Sequence, residues 1–254
     1  IINPQTKPSQ RQLVVEACEK IRNPDPEWGP FTHLQLGECL AAAGLFNGAA
    51  HFLETYVKTG YDGFARHLLG YTLECLGRFD KAIEVYTERV LSEPDSVNAL
   101  GERAILYSRT GQYEKAEQDL AGMNKVLKLN FAQFYHLYWR RELEAAKVYF
   151  NRLESRENAQ PNLKYWGCFL LGDIEGGINH VEDFIGRNTR PEWIRLDVNR
   201  VLPHSIAREV EQHPRFQAIL KQFGIDNTWR DELIVMVNEL TDATGIYVQL
   251  DEEY

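Results

Sequence analysis

The chain has 254 residues, 44% of them hydrophobic and 26% charged, which suits a soluble globular protein of one large or two small domains. Its formal net charge of −9 comes without a basic stripe and argues against direct DNA or RNA binding. No apolar run reaches the eighteen or so residues of a membrane span: the nearest, residues 39–53, is short, rich in Ala and Gly, and interrupted by Asn47 and His51.

Four cysteines, Cys18, Cys39, Cys75 and Cys168, lack C-x-x-C spacing and read as buried thiols in a reducing compartment, hence a cytoplasmic protein. No basic region followed by an apolar run marks a signal peptide. The chain begins at Ile1 rather than Met, so a piece of a longer protein is expected.

In chain order, residues 1–29 form a capping helix. Ser9 and Gln12 make a capping box, the apolar face is Leu13, Val14, Ala17, Cys18 and Ile21, and Asn23-Pro24-Asp25-Pro26 ends the helix. Three units follow, roughly 30–62, 63–96 and 97–130. Leu36-Gly37, Leu69-Gly70 and Arg103-Ala104 are followed by Gly44, Phe46 and Ala49, by Gly77, Phe79 and Ala82, and by Gly111, Tyr113 and Ala116. The glycines recur at intervals of 33 and 34 residues. The small residue after Leu lets two helices approach. The later Gly closes the first helix with a left-handed backbone, and the Ala starts the inner face of the second. Pro94 stops that second helix in the middle unit.

This recurrence resembles the tetratricopeptide repeat, a helix–turn–helix unit of 34 residues. Arg89 and Arg103 depart from the family pattern, standing where Ala and Leu are usual. The resemblance implies an all-α fold, an α-α superhelix (a repeat solenoid) closed by a C-terminal helical cap.

Residues 131–190 keep the logic in two shortened hairpins, about 131–158 and 159–190, since Ala116, Ala146 and Gly177 follow at 30 and 31 residues. Gly172, Gly176 and Gly177 read as helix-turn glycines. Residues 191–254 form a helical cap and tail. Phe216, Ile219, Leu220 and Phe223 make one helix face, and Leu233, Val237 and Leu240 another. Ile246, Val248 and Leu250 alternate as in a short strand or extended tail. The apolar set with Trp229 is too large to leave in water, so residues 191–240 are expected to fold back onto the last repeat, with Trp193 in the receiving surface. Residues 214–229 also resemble the ends of bacterial multidomain regulators, winged-helix regulators of the CadC type and class III adenylate cyclases. That resemblance implies a regulatory segment of a larger signalling protein.

No chemistry-bearing motif stands out. Seven histidines lack zinc spacing, no Gly-Lys-Ser/Thr ends a phosphate loop, and no G-x-S-x-G is present. No metal, cofactor or catalytic residue is expected. The repeat resemblance instead implies a concave groove lined by the first helix of each unit. The candidate partner-binding residues are Phe31, Leu34 and Glu38, then Phe64, His67, Tyr71 and Glu74, then Asn98, Ile105 and Arg109. Leu34, Glu38 and Glu102 would repel or leave unpaired the acidic tail that chaperone-binding repeats hold. An apolar peptide or helix with basic residues suits the groove better. The expected function is a protein–protein interaction module that binds a peptide, another domain or itself. The alternatives are an enzyme with a site around Tyr165, Trp166, His180, Glu182 and Asp183, and a structural homo-oligomerisation domain.

Overall fold

A computed structural model describes residues 10–23, 29–60, 62–125, 130–155, 161–187, 194–223 and 226–250. These form α1 (Gln10–Arg22), α2 (Gly29–Ala43), α3 (Phe46–Val57), α4 (Gly63–Cys75), α5 (Phe79–Ser92), α6 (Val97–Arg109), α7 (Tyr113–Asn124), α8 (Phe131–Trp139), α9 (Leu143–Glu154), α10 (Pro161–Leu170), α11 (Ile174–Arg187), α12 (Ile194–Val201), α13 (His204–Gln212), α14 (Pro214–Gln222) and α15 (Asn227–Thr244). No strand occurs among the described residues. The Ser9 capping box, the Pro24–Pro26 stop and Trp193 lie outside them.

The first helices of the repeats, α2, α4, α6, α8 and α10, end in one way. Each first helix ends at a residue of positive φ: Gly44 (79°), Gly77 (67°), Gly111 (77°), Arg141 (64°) and Gly172 (86°). At four of the five, that residue donates to the carbonyl three positions back and its successor to the one five back. Gly44 N–H bonds Ala41 O while Leu45 N–H bonds Leu40 O. The pair recurs at Gly111/Gln112, Arg141/Glu142 and Gly172/Asp173. This double bond satisfies the orphan carbonyls of a helix end, and it needs the left-handed residue. The second helix then opens at the same atom each time: Ala49, Ala82, Ala116, Ala146 and Gly177 donate to Leu45, Arg78, Gln112, Glu142 and Asp173. Gly177 is thus no turn glycine. It holds the repeat's alanine position inside α11, and a Cβ there would lie 2.2 Å from the Phe169 ring.

Three of these helices, α4, α6 and α8, open on side-chain caps. Asp62 accepts from Phe64 N–H and Ala65 N–H, Ser96 from Ala99 N–H, and Asn130 from Gln133 N–H. Each removes an orphan donor, a contribution of about 1 kcal/mol.

The chain divides into two compact units. The first holds the described residues of Ile1–Leu76, Pro191–Arg200 and Pro214–Tyr254. Its core includes Leu36, Leu40, Leu45, Ala49, Phe52 and Leu53, all fully buried. At Gly37 an added Cβ would meet Leu53 at 2.7 Å, so the small residue of the Leu-Gly pair does permit α2 and α3 to touch. Here the expected cap is corrected. α15 packs on α1 and α2, and Glu239 faces Arg22 at 4.0 Å. The tail forms no strand: Val248 and Leu250 lie against Gly48 of α3. So α15 and the tail cover α1 and the first repeat, and α12 and α14 belong with them to the first unit. The physical reason is α1: its buried Val14, Ala17, Cys18 and Ile21 face needs a second partner besides α2, and α15 supplies it.

The second unit holds the described residues of Gly77–Arg190 and Val201–His213. Ala104, Leu120, Met123 and Ala132 form a core cluster between α6, α7 and α8. The two departures from the repeat pattern are ion pairs between consecutive helices. Arg89 of α5 pairs with Glu102 of α6. Arg103 of α6 forms a two-pronged pair with Asp119 of α7 at 2.7 and 2.8 Å. That hydrogen bond, opposed by burial, raises the Arg103 pKa further. α13 belongs to this unit, and His213, just past its end, lies 3.1 Å from Glu175 of α11 in the last hairpin.

Candidate partner-binding surface

The ten candidate residues do not behave alike. In the first unit, α2 presents Phe31 at 43% exposure and α4 presents Phe64 at 38%, both in the first turn or so of their helices. Glu38 is half-buried. Leu34 is a correction: at 5% exposure it is core and offers nothing to a ligand. Along α4, the His67 ring meets the Tyr71 ring with centroids 4.0 Å apart and planes tilted by 47°, as a spacing of four residues on one helix face permits.

Beyond Tyr71 the surface is covered by the chain itself. The Arg200 guanidinium of α12 sits over the Tyr71 ring, 3.6 Å from its centroid. The same side chain reaches Glu74 Oε1 at 3.8 Å, with both residues almost fully buried. One turn earlier, the backbone carbonyl of Leu196 faces Cys75 Sγ at 3.7 Å. Arg195 donates to Ala43 O at 2.9 Å, on the last residue of α2. Glu74 is therefore a correction too: its carboxylate is committed to Arg200.

α12 carries this because it is buried nearly all round. Ile194, Leu196, Val198 and Val201 are at most 3% exposed, and so are Arg195 and Arg200. A short helix of that kind belongs to a core. Its two guanidiniums are placed where a carbonyl oxygen at the α2 end, an aromatic face and a carboxylate replace water. Nothing in the sequence marks residues 194–200 as a site. The alternation Ile-Arg-Leu-Asp-Val matches no helix stripe, and the partners lie 121 and 152 positions away.

The remaining candidates belong to the second unit. Asn98 is exposed on α6. Ile105 packs against the Ala104–Leu120–Met123–Ala132 cluster, so it is a core contact rather than a ligand contact. Arg109 lies over Phe79 at 4.7 Å and near Trp139 at 5.7 Å. The set weighed for an enzyme site does not converge. Tyr165 and Trp166 are buried among rings, Tyr165 with Phe169 and Phe184, Trp166 with Phe131. Glu182 and Asp183 are exposed, while His180 turns to Glu154 at 3.3 Å. Glu154, Cys168 and His180 bring one ligand atom each to within 4.8 Å of one another, a convergence that the sequence spacing hid.

No protein-family model and no curated protein matches the chain. Among solved structures, it is similar to a tetratricopeptide repeat protein from Parabacteroides merdae ATCC 43184, with a TM-score of 0.53 and 17% identity over 93% of this chain and 92% of that one. A second similar structure is Naa15/Naa10 bound to HypK-THB, with a TM-score of 0.36 and 17% identity over 94% of this chain and 40% of that one. The fold is thus all-α and of the tetratricopeptide-repeat type. No helix among the described residues is long and apolar enough to cross a membrane.

Proposed function

We propose that this protein is an interaction scaffold whose ligand is an apolar, arginine- or lysine-bearing peptide or helix. The observation that carries this is the seating of α12 across the ends of α2 and α4, with Arg200 between Tyr71 and Glu74. The repeat surface thereby accepts, from its own chain, the class of ligand that its Phe, Tyr and Glu content suits. The exposed rings of Phe31 and Phe64 extend the same helices away from α12 and are the anchors for a second segment. In this reading the protein works in the cytoplasm as a regulatory part of a larger bacterial signalling protein, supported by the likeness of residues 214–229 to the ends of such regulators.

The test is selection of a displayed peptide library on the full chain. Enrichment of sequences combining apolar residues with Arg or Lys, lost at least tenfold in Phe64→Ala and Phe31→Ala, is the expected outcome. Absence of enrichment, or enrichment indifferent to both changes, refutes the reading.

A further inference from the structure

We propose that Glu154, Cys168 and His180 form a binding site for a divalent transition-metal ion of the zinc class. The three residues come from three consecutive helices of the second unit: the last residue of α9, the last turn of α10 and the middle of α11. Their ligand atoms lie within 4.8 Å of one another, and His180 Nε2 is already 3.3 Å from Glu154 Oε1. Around a tetrahedral zinc, with bonds of about 2.0–2.3 Å, ligand atoms stand roughly 3.3–3.8 Å apart. Side-chain rotations of an ångström or so bring the trio to that spacing.

The donor set selects the metal. One sulfur, one imidazole nitrogen and one carboxylate oxygen suit zinc and its neighbours, whereas magnesium and calcium take oxygen alone. The charge closes as well. Binding expels the thiol proton to solvent as the metal–sulfur bond forms, so thiolate and carboxylate together neutralise a divalent ion. Without metal, burial first, and then Glu154 and Asp173, push the Cys168 thiol up to about 12, so it is an inert thiol rather than a nucleophile.

Access and packing agree. Cys168 is buried, while the side chains of His180 and Glu154 are 29% and 36% exposed, so solvent reaches the trio on their side, from which a water would supply the fourth ligand of a tetrahedral ion. The three helices are held beneath the site by ring-on-glycine contacts. Added Cβ atoms at Gly167 and Gly177 would meet the Phe150 and Phe169 rings at 2.0 and 2.2 Å. The ligands therefore project from closely packed helices rather than from loops.

The experiment is titration of the full chain with Co²⁺, read by absorption, followed by Zn²⁺ displacement and calorimetry. One equivalent of cobalt with a thiolate-to-cobalt charge-transfer band, displaced by zinc, is expected. Cys168→Ser should abolish the band, and His180→Ala should weaken zinc at least tenfold, while Cys75→Ser, in the first unit, changes neither. His180→Ala alters a partly exposed side chain and keeps the test decisive should Cys168→Ser fail to fold by circular dichroism. Absence of cobalt uptake, uptake without the sulfur band, a band that survives Cys168→Ser, or zinc affinity unmoved by His180→Ala overturns the proposal.

Discussion

The two compact units solve the same problem with different chemistry. The first takes helices from both ends of the chain: α1 to α4 are closed by α12, α14 and α15, and its interior is mostly aliphatic. The second is built chiefly from neighbours in sequence and ties consecutive helices with Arg89–Glu102 and Arg103–Asp119. A repeat buries its apolar faces only against neighbours. Where sequence neighbours suffice, short-range ion pairs set the spacing. Where they do not, a distant segment is recruited, and the unit then depends on contacts across more than half the chain.

That dependence gives the largest expected effect. Arg200→Ala would leave the Glu74 carboxylate buried without its guanidinium and strip the cover from Tyr71. Breaking one half of a buried ion pair costs about 3–5 kcal/mol. Urea unfolding should show the first unit lose stability on that scale, and Arg200→Met should recover part of it only when combined with Glu74→Gln. A loss below about 1 kcal/mol for Arg200→Ala would mean that α12 is an accessory and that the units do not differ in this way.

The second unit should respond to local changes instead. Arg103→Leu restores the residue usual in the repeat, yet it strands Asp119, whose side chain is 7% exposed. The expected cost is about 2–3 kcal/mol, from an uncompensated charge rather than from lost attraction. Arg103→Leu with Asp119→Leu should return most of it, which a double-mutant cycle by chemical denaturation measures. A leucine that stabilises on its own would show that the departure from the pattern has no structural role.

How much of this was legible follows from where the determinants lie. The hinge glycines and their alanines are local, so their intervals in sequence gave both the regular hairpins and the two shortened ones. α8/α9 was the harder of these because its left-handed hinge residue is Arg141, which no glycine marks. Leu34 and Ile105 sit at groove positions of the repeat but are taken by packing, which periodicity on a single helix cannot reveal. The roles of Arg195, Arg200, Cys168 and His180 depend on partners 12 to 152 positions away and on no recurring spacing, so only the three-dimensional arrangement brings them together.

Acid should loosen both units, each through a histidine. Burial, then Arg140, lowers the His136 pKa, against the opposing pull of Glu117 and Glu142; Ser108 and the Tyr113 ring also face it. Burial likewise lowers His51 in the first unit. The unfolded chain therefore takes up the proton first, at the ordinary histidine value of 6.5. Stability from each group is complete above that pH and is lost as pH falls below it toward the depressed folded value. His136→Gln should flatten the acid limb of the second unit only, in melting midpoints recorded from pH 7.5 to about 5.5. An acid limb that is unchanged would assign the sensitivity to other groups.

The smallest effect tests the hinge itself. Gly44, Gly77, Gly111 and Gly172 adopt the left-handed turn without a Cβ, whereas Arg141 adopts it at φ 64° with one. A left-handed conformation costs an L-residue roughly 1–2 kcal/mol. Replacing it by glycine removes that strain but returns backbone entropy to the unfolded chain, about 0.4–1 kcal/mol in the opposite direction. The Arg141 side chain is exposed, so little packing is lost. Arg141→Gly should therefore stabilise the second unit by about 0.5–1 kcal/mol, read as a raised melting midpoint. Gly111→Arg, the reverse change at the hinge one hairpin earlier, should destabilise by a similar amount, because open space surrounds its would-be Cβ and only the backbone objects. If Arg141→Gly destabilises instead, the arginine holds the turn through its side chain, and the shortened hairpin is not the regular hairpin with one residue exchanged.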